Sequence, residues 1–158
     1  MGWPVMRLAL YQPEIPQNAG AAIRAAACFG AGLDIIEPCG FPPDAKGLKR
    51  AAMDYGALAP PRLHASWPAF VASPERAGGR AGGRLLLLST KGDRPISDFE
   101  FRSGDVVLTG QESAGVPEFV WEECDAALFI PIAPGARSLN AATAGAIALA
   151  EMRRQIGW

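Results

Sequence analysis

The chain has 158 residues, of which 49% are hydrophobic and 20% charged, enough apolar side chain to offset the ordering entropy of one packed domain and too much for a disordered segment. Fifteen Lys and Arg against sixteen Asp and Glu leave a formal net charge of −1, which excludes a globally basic nucleic-acid binder and confines any such contact to local charge. Cys28, Cys39 and Cys124 form no C-x-x-C pair, and no apolar run approaches the roughly 18 residues of a membrane span, so a cytoplasmic protein with reduced thiols and no membrane partner is expected.

Residues 6–11 predict a first strand. Residues 18–29 predict an Ala-rich helix capped by Asn18, with Cys28 as a small core side chain and Gly30 and Gly32 as its stop. A second strand is predicted at 33–37, a charged helix at 44–53, and a short helix at 67–71 behind Ser66 as its cap. Residues 73–83, which repeat Arg-Ala-Gly-Gly, read as a surface loop whose Arg76 and Arg80 could alternatively touch phosphate. Three continuous apolar runs follow, at 84–88, 105–109 and 127–130. Lacking alternation, they predict strands buried on both faces of a parallel sheet. A last helix is predicted at 139–155, with Arg153 and Arg154 in its final turn. The fold class is α/β, a parallel sheet flanked by helices, in one domain spanning 1–158 with 1–5 as an N-terminal extension.

Each of the three apolar runs ends in a turn: Ser89-Thr90-Lys91-Gly92, Gly110-Gln111-Glu112-Ser113-Ala114-Gly115, and 131–138. Ligands of open α/β sheets bind beyond the carboxyl ends of the strands, so these loops are the candidate pocket. Gly110 and Gly115 have the spacing of a phosphate-binding loop, but Val116-Pro117 stands where Lys-Ser or Lys-Thr is required; dinucleotide and serine-hydrolase fingerprints are absent too. His64, the only histidine, has no partner at metal-ligand spacing and is expected at the surface or in packing; no metal site is expected. Arg24, one turn after Gly20 on an Ala-rich helix, is on the residues alone a snorkelling surface residue or an ion-pair partner.

Read together and in order, three segments resemble the signature of the SpoU branch of the SPOUT class of RNA methyltransferases. Tyr11-Gln12-Pro13-Glu14-Ile15-Pro16-Gln17-Asn18-Ala19-Gly20, followed by Arg24, resembles the first motif. Gly110-Gln111-Glu112-Ser113-Ala114-Gly115-Val116-Pro117 resembles the second, and Ile130-Pro131-Ile132 through Arg137-Ser138-Leu139-Asn140 the third. Ile35-Ile36-Glu37-Pro38 with Gly40-Phe41, Arg50-Ala51 with Asp54-Tyr55, and Ser89-Thr90-Lys91-Gly92 are similar to the branch's short tRNA members. The likeness runs from about Met6 to the C-terminus; Ala150 stands where a tyrosine is expected, and 140–143 departs from the usual Ser-Asn pattern.

The resemblance implies S-adenosylmethionine-dependent 2′-O-methylation of the wobble cytidine or uridine in the tRNA anticodon stem-loop. It also implies a homodimer and a C-terminal trefoil knot that forms the cofactor pocket, a topology that no periodicity argument reaches. Carried over by position, Leu88, Gly110, Ile130, Ile132, Ser138 and Leu139 would hold the cofactor, and Arg24, Asn18, Glu112 and Asn140 would form the catalytic set. Because a guanidinium keeps its proton, Arg24 is expected to fix the neighbouring phosphate and stabilise the developing alkoxide rather than act as a base. RNA contacts are expected from Lys46, Lys49, Arg50, Arg76, Arg80, Arg153 and Arg154. Two alternatives stand beside this reading: the same reaction at another tRNA or rRNA ribose, and a non-catalytic RNA-binding dimer that retains the fold.

Overall fold

Apart from Arg7, Asp34 and Thr109, the five longer strands are built of apolar side chains and glycine, and such strands are stable only when both faces of their sheet are covered. The computed structural model describes residues 5–42, 44–58, 60–73 and 83–158. In chain order the elements are β1 (Arg7–Tyr11), α1 (Pro16–Phe29), β2 (Gly32–Ile36), α2 (Lys46–Tyr55), β3 (Arg62–His64), α3 (Trp67–Val71), β4 (Leu85–Leu88), β5 (Arg94–Pro95), a 3-10 turn (Ile96–Asp98), β6 (Val106–Thr109), α4 (Glu118–Glu123), β7 (Ala126–Phe129) and α5 (Ala141–Ile156). The strands pair in parallel throughout, in the order β3-β2-β1-β6-β4-β7-β5.

Side chains alternate between two cores. Leu8 and Leu10 of β1 and Leu86 of β4 pack beneath α1 and α5 with Ile23, Ala26, Leu149 and Met152. Ala9, Tyr11, Leu85 and Leu87 face the other way, onto Trp67 and Phe70 of α3 and Val120 of α4. Each fully buried leucine stabilises the fold by roughly 1.5–3 kcal/mol. No helix among the described residues is long and apolar enough to cross a membrane.

The predicted strands and helices appear close to their expected places, and Ser66 caps α3 by accepting a bond from the Ala69 N–H at 3.1 Å. Helix α1 is different. It starts at Pro16, with Ile15 at the cap position and no side-chain cap bond, because proline's fixed φ suits the first helical position. Asn18 therefore lies inside the first turn, and its side chain is free for another task. Cys28 is exposed rather than in the core: Ala19, Ala22, Ile23 and Ala26 form the buried stripe, and a position two residues after Ala26 falls on the opposite face. The short β3, β5 and α4 have no counterpart among the predicted elements. Arg76 and Arg80 lie outside the described residues.

Two arginines, one buried and one half-buried, tie the layers together. Arg153, 2% exposed, donates from Nε to the Phe29 carbonyl at 2.7 Å and from Nη2 to the Gly30 carbonyl at 3.1 Å. It thus closes the C-terminal end of α1, where cations are favoured; its expected RNA contact is corrected to a structural one. Arg154 remains exposed but pairs with Glu151 at 2.7 Å. On the other flank Arg7 grips Asp34 with Nε at 2.7 Å and Nη2 at 3.0 Å. The fully buried Asp34 also meets His64 Nε2 at 2.9 Å, which locates the lone histidine in packing and pins β1, β2 and β3 side by side.

Removing one member of such a buried set leaves the others desolvated and unpaired. Asp34→Ala is expected to lower unfolding free energy by about 3–5 kcal/mol. In urea titrations, Arg7→Ala combined with Asp34→Ala is expected to cost clearly less than the sum of the two single changes.

Candidate active site

Parallel pairing sets Leu88, Thr109 and Leu128 level with one another across β4, β6 and β7, so the loops that follow open on the same side. A cleft of about 910 Å³ lies there. Its lining includes all six residues expected to hold a cofactor, Leu88, Gly110, Ile130, Ile132, Ser138 and Leu139, together with Asn18, Glu112 and Asn140. The loop after β6 folds back on itself: the Gln111 N–H donates to the Gly115 carbonyl at 2.8 Å and the Gly115 N–H returns a bond at 3.0 Å. This closure requires glycine at 110, because a Cβ there would sit 2.6 Å from the Gly115 carbonyl carbon, and Gly115 itself has φ of 65°.

Three loops distant in sequence are joined by one chain of hydrogen bonds. Asn140 caps α5, its Oδ1 accepting from the Ala142 and Thr143 N–H groups at 2.9 and 3.1 Å. Its amide nitrogen donates to Asn18 Oδ1 at 2.8 Å. Asn18 in turn donates to Glu112 Oε2 at 3.1 Å, and Glu112 Oε1 accepts the Glu14 N–H at 2.8 Å. Glu14 completes the brace by accepting from the Ser113 N–H and hydroxyl, both at 2.8 Å. Glu14 and Ser113 were not singled out in the sequence; their only signal was membership in the first and second motifs.

The cleft wall also carries residues that sequence reasoning missed, Glu118, Trp121 and Glu122 of α4. With Glu112 these carboxylates outnumber Lys91, the cation in the lining, apart from which the deeper wall is apolar through Leu87, Leu88, Val116 and Ile130. Such a cleft suits a ligand with an apolar body and a positive centre. Nearby, burial pushes the Cys39 thiol up to about 11, aided by the negative charges of Glu37 and Glu112. Among the described residues no group of three or more His, Cys, Asp and Glu side chains is placed to hold a metal ion.

Arg24 is not brought to the cleft. It stands exposed on α1, outside the lining, with its guanidinium carbon 5.0 Å from the centre of the Tyr55 ring. Tyr55 ends α2, so the pair marks the junction of α1 and α2. The segment 131–140, which carries the third motif, is exposed at every position.

The SpoU rRNA Methylase family model matches residues 5–150. The chain is similar to a tRNA (cytidine(34)-2'-O)-methyltransferase of Ancylobacter novellus, 53% identical over 152 residues that cover 96% of this chain and 94% of the relative. A protein of the same description from Beijerinckia indica is 49% identical, covering 95% of this chain and 91% of its own. Among solved structures, one described for 2-OH methylation of C/U34 on tRNA superposes with a TM-score of 0.87 at 41% identity, covering 98% of this chain and 97% of its own. The SpoU methyltransferase AviRb of Streptomyces viridochromogenes, solved in complex with AdoMet, superposes with a TM-score of 0.88 at 27% identity, covering 98% of this chain and 62% of its own.

Glu112→Ala strips the acceptor from the Glu14 N–H and the Asn18 amide and is expected to destabilise the fold by about 1–3 kcal/mol in urea unfolding; Glu112→Gln, whose oxygen still accepts one of these bonds, is expected to lose less. For Cys39 the raised thiol value means that on the order of one molecule in a thousand carries a thiolate at pH 8. Peptide mapping after iodoacetamide treatment is expected to find the exposed Cys28 modified first, and Cys39 labelling to accelerate about tenfold per pH unit toward pH 10.

Proposed function

The chain belongs to the SpoU rRNA methylase family, and on that footing we propose that it transfers the methyl group of S-adenosylmethionine to the ribose 2′-oxygen of the wobble nucleotide, cytidine or uridine 34, of tRNA in the cytoplasm. The observation that carries this reading is the joining of three motif loops, through Asn18, Glu112 and Asn140, at a cleft lined by Leu88, Gly110, Ile130, Ile132, Ser138 and Leu139. The residues fit the methyl donor: an apolar wall for an adenine, turns rich in backbone donors and acceptors for its polar edge, and carboxylates for a sulfonium.

When bound, S-adenosylmethionine supplies an electrophilic methyl carbon on a positively charged sulfur. The chain's part is to orient the ribose hydroxyl in line with that carbon and to stabilise the oxygen as it loses its proton. Asn18, Glu112 and Asn140 hold the loops that shape the cleft mouth. Ser138 offers a hydroxyl, and Leu139 an apolar contact, at the same rim. Arg24 fixes the phosphate beside the target ribose and stabilises the developing alkoxide; a guanidinium does not take up the proton.

The reading includes a C-terminal trefoil knot around the cleft and a homodimer. Support for the dimer comes from the rim. Ile15, Leu139 and Ile147 are 41%, 36% and 36% exposed, and Ile15 and Leu139 border the cleft, with Ile147 one turn beyond Ala144 in its lining. A second copy would cover these side chains and the exposed 131–140 segment. It also offers Arg24, outside the cleft of its own chain, a neighbouring cleft to serve.

Labelled S-adenosylmethionine and unmethylated tRNA are expected to yield label at ribose 34, with transfer abolished by a 2′-deoxy nucleotide there. Arg24→Ala is expected to lower kcat by about 10²–10³-fold with the donor's Kd unchanged. Mixing equal amounts of Arg24→Ala and Ser138→Trp protomers is expected to recover about a quarter of wild-type activity if each cleft uses its partner's arginine; no recovery assigns Arg24 to its own chain, and label at another ribose moves the target.

A further inference from the structure

We propose that the exposed face of α2 formed by Lys46, Lys49 and Arg50 is the surface that docks the phosphodiester backbone of the RNA substrate. The inference rests on the tRNA reading above and names the part of the surface that delivers the strand to the cleft.

Four observations carry it. First, the spacing: Lys46, Lys49 and Arg50 recur at three and four residues, so they share one side of the helix at roughly 5–6 Å between neighbouring Cβ atoms. With Met53 and Asp54 they line a shallow groove of about 290 Å³. Second, availability: all three cations are exposed, and among the described residues none has an ion-pair partner within 4.0 Å, whereas Arg7, Arg84 and Arg154 are engaged by Asp34, Asp105 and Glu151. Asp54 is the single carboxylate in that lining, so the groove keeps a local charge of about +2 in a chain whose net charge is −1.

Third, an apolar side chain lies open among the charges, Met53, which is 78% exposed. That mixture suits a nucleic-acid strand, which offers phosphates alongside sugar and base faces. Fourth, proximity: Tyr55, the last residue of α2, carries the Arg24 guanidinium on its ring at 5.0 Å. The phosphate-fixing arginine of the proposed reaction therefore emerges where α2 meets α1. Tyr55 lies on the opposite side of α2 from Lys46, so a strand held by the cations passes around the C-terminal end of the helix to reach Arg24.

The test is tRNA binding by fluorescence anisotropy as a function of salt, with the variant K46Q/K49Q/R50Q beside the wild type. The variant is expected to bind about tenfold or more weakly near physiological salt and to lose about 3 from the slope of log K against log salt, one for each phosphate contact. The swap K46R/K49R/R50K, which keeps the charge, is expected to keep the slope. Calorimetric binding of S-adenosylmethionine checks that the variant is folded. Should donor binding fail with the triple change, the single changes decide, each expected to remove about 1 from the slope.

An unchanged slope and affinity in K46Q/K49Q/R50Q, with tRNA binding intact in the wild type, overturns the docking surface and leaves the methyltransferase reading standing. Unchanged tRNA affinity combined with lost binding to phosphatidylserine vesicles assigns the face to a membrane and overturns it likewise. A wild-type protein that binds S-adenosylmethionine but no tRNA at any salt overturns both.

Discussion

Glu112 ends a chain of hydrogen bonds whose direction cannot be reversed. The α5 N–H groups of Ala142 and Thr143 occupy Asn140 Oδ1, so the Asn140 amide nitrogen must donate. Asn18 must then present its oxygen to Asn140 and its nitrogen to Glu112. A carboxylate, with two acceptor oxygens, is the terminus this polarity demands, and its second oxygen takes the Glu14 N–H. Bonds to a charged acceptor are worth about 1.5–3 kcal/mol, more than neutral ones. One side chain thereby fixes the relative placement of loops 94 and 98 residues apart in sequence.

The need for that latch follows from the strands. β4, β6 and β7 are four residues each, enough to cross a core but too short to rigidify the connections beyond them. Apolar burial decides which residues enter the sheet; it says nothing about how a loop such as 131–140, exposed throughout, is held. Polar side chains supply that information. Asp34 locks the β1–β2–β3 flank through Arg7 and His64, Arg153 seats α5 against the end of α1, and the Asn18–Glu112–Asn140 chain sets the cleft mouth. Helix α5 closes the core with Leu149 and Met152 while its capped start forms part of the rim, so packing and site geometry share one element.

The parts legible in the sequence were those governed by local or periodic rules. Unbroken runs such as Leu85-Leu86-Leu87-Leu88 pointed to doubly buried strands, and Ser66 before Trp67-Pro68 carried its own cap. The motif residues also proved spatially coherent: nine of the ten proposed site residues line one cleft, Arg24 being the exception. What was not legible depended on partners far along the chain. Asn18 looked like a helix cap because its neighbours are helical; its real partners are Glu112 and Asn140. Arg153 looked like a surface cation because two arginines end a helix, yet the open carbonyls of α1, over 120 residues away, bury it. β5, two residues long, has too little pattern to register, and Glu14 is indistinguishable in sequence from any solvated carboxylate.

A protein with almost no net charge must bind a cationic donor and a polyanionic substrate together. Uniform surface charge of either sign would favour one and repel the other. Here the signs are separated: Glu112, Glu118 and Glu122 stand in the cleft, while Lys46, Lys49 and Arg50 stand on α2. At physiological ionic strength the screening length is about 8 Å, so each patch acts most strongly on the ligand in contact with it. The formal charge of −1 thus reflects the cancellation of two local fields rather than the absence of either. Arg24, stacked on Tyr55 between α1 and α2, belongs to neither the acidic cleft nor the α2 groove, so its charge is left to act where the two helices meet.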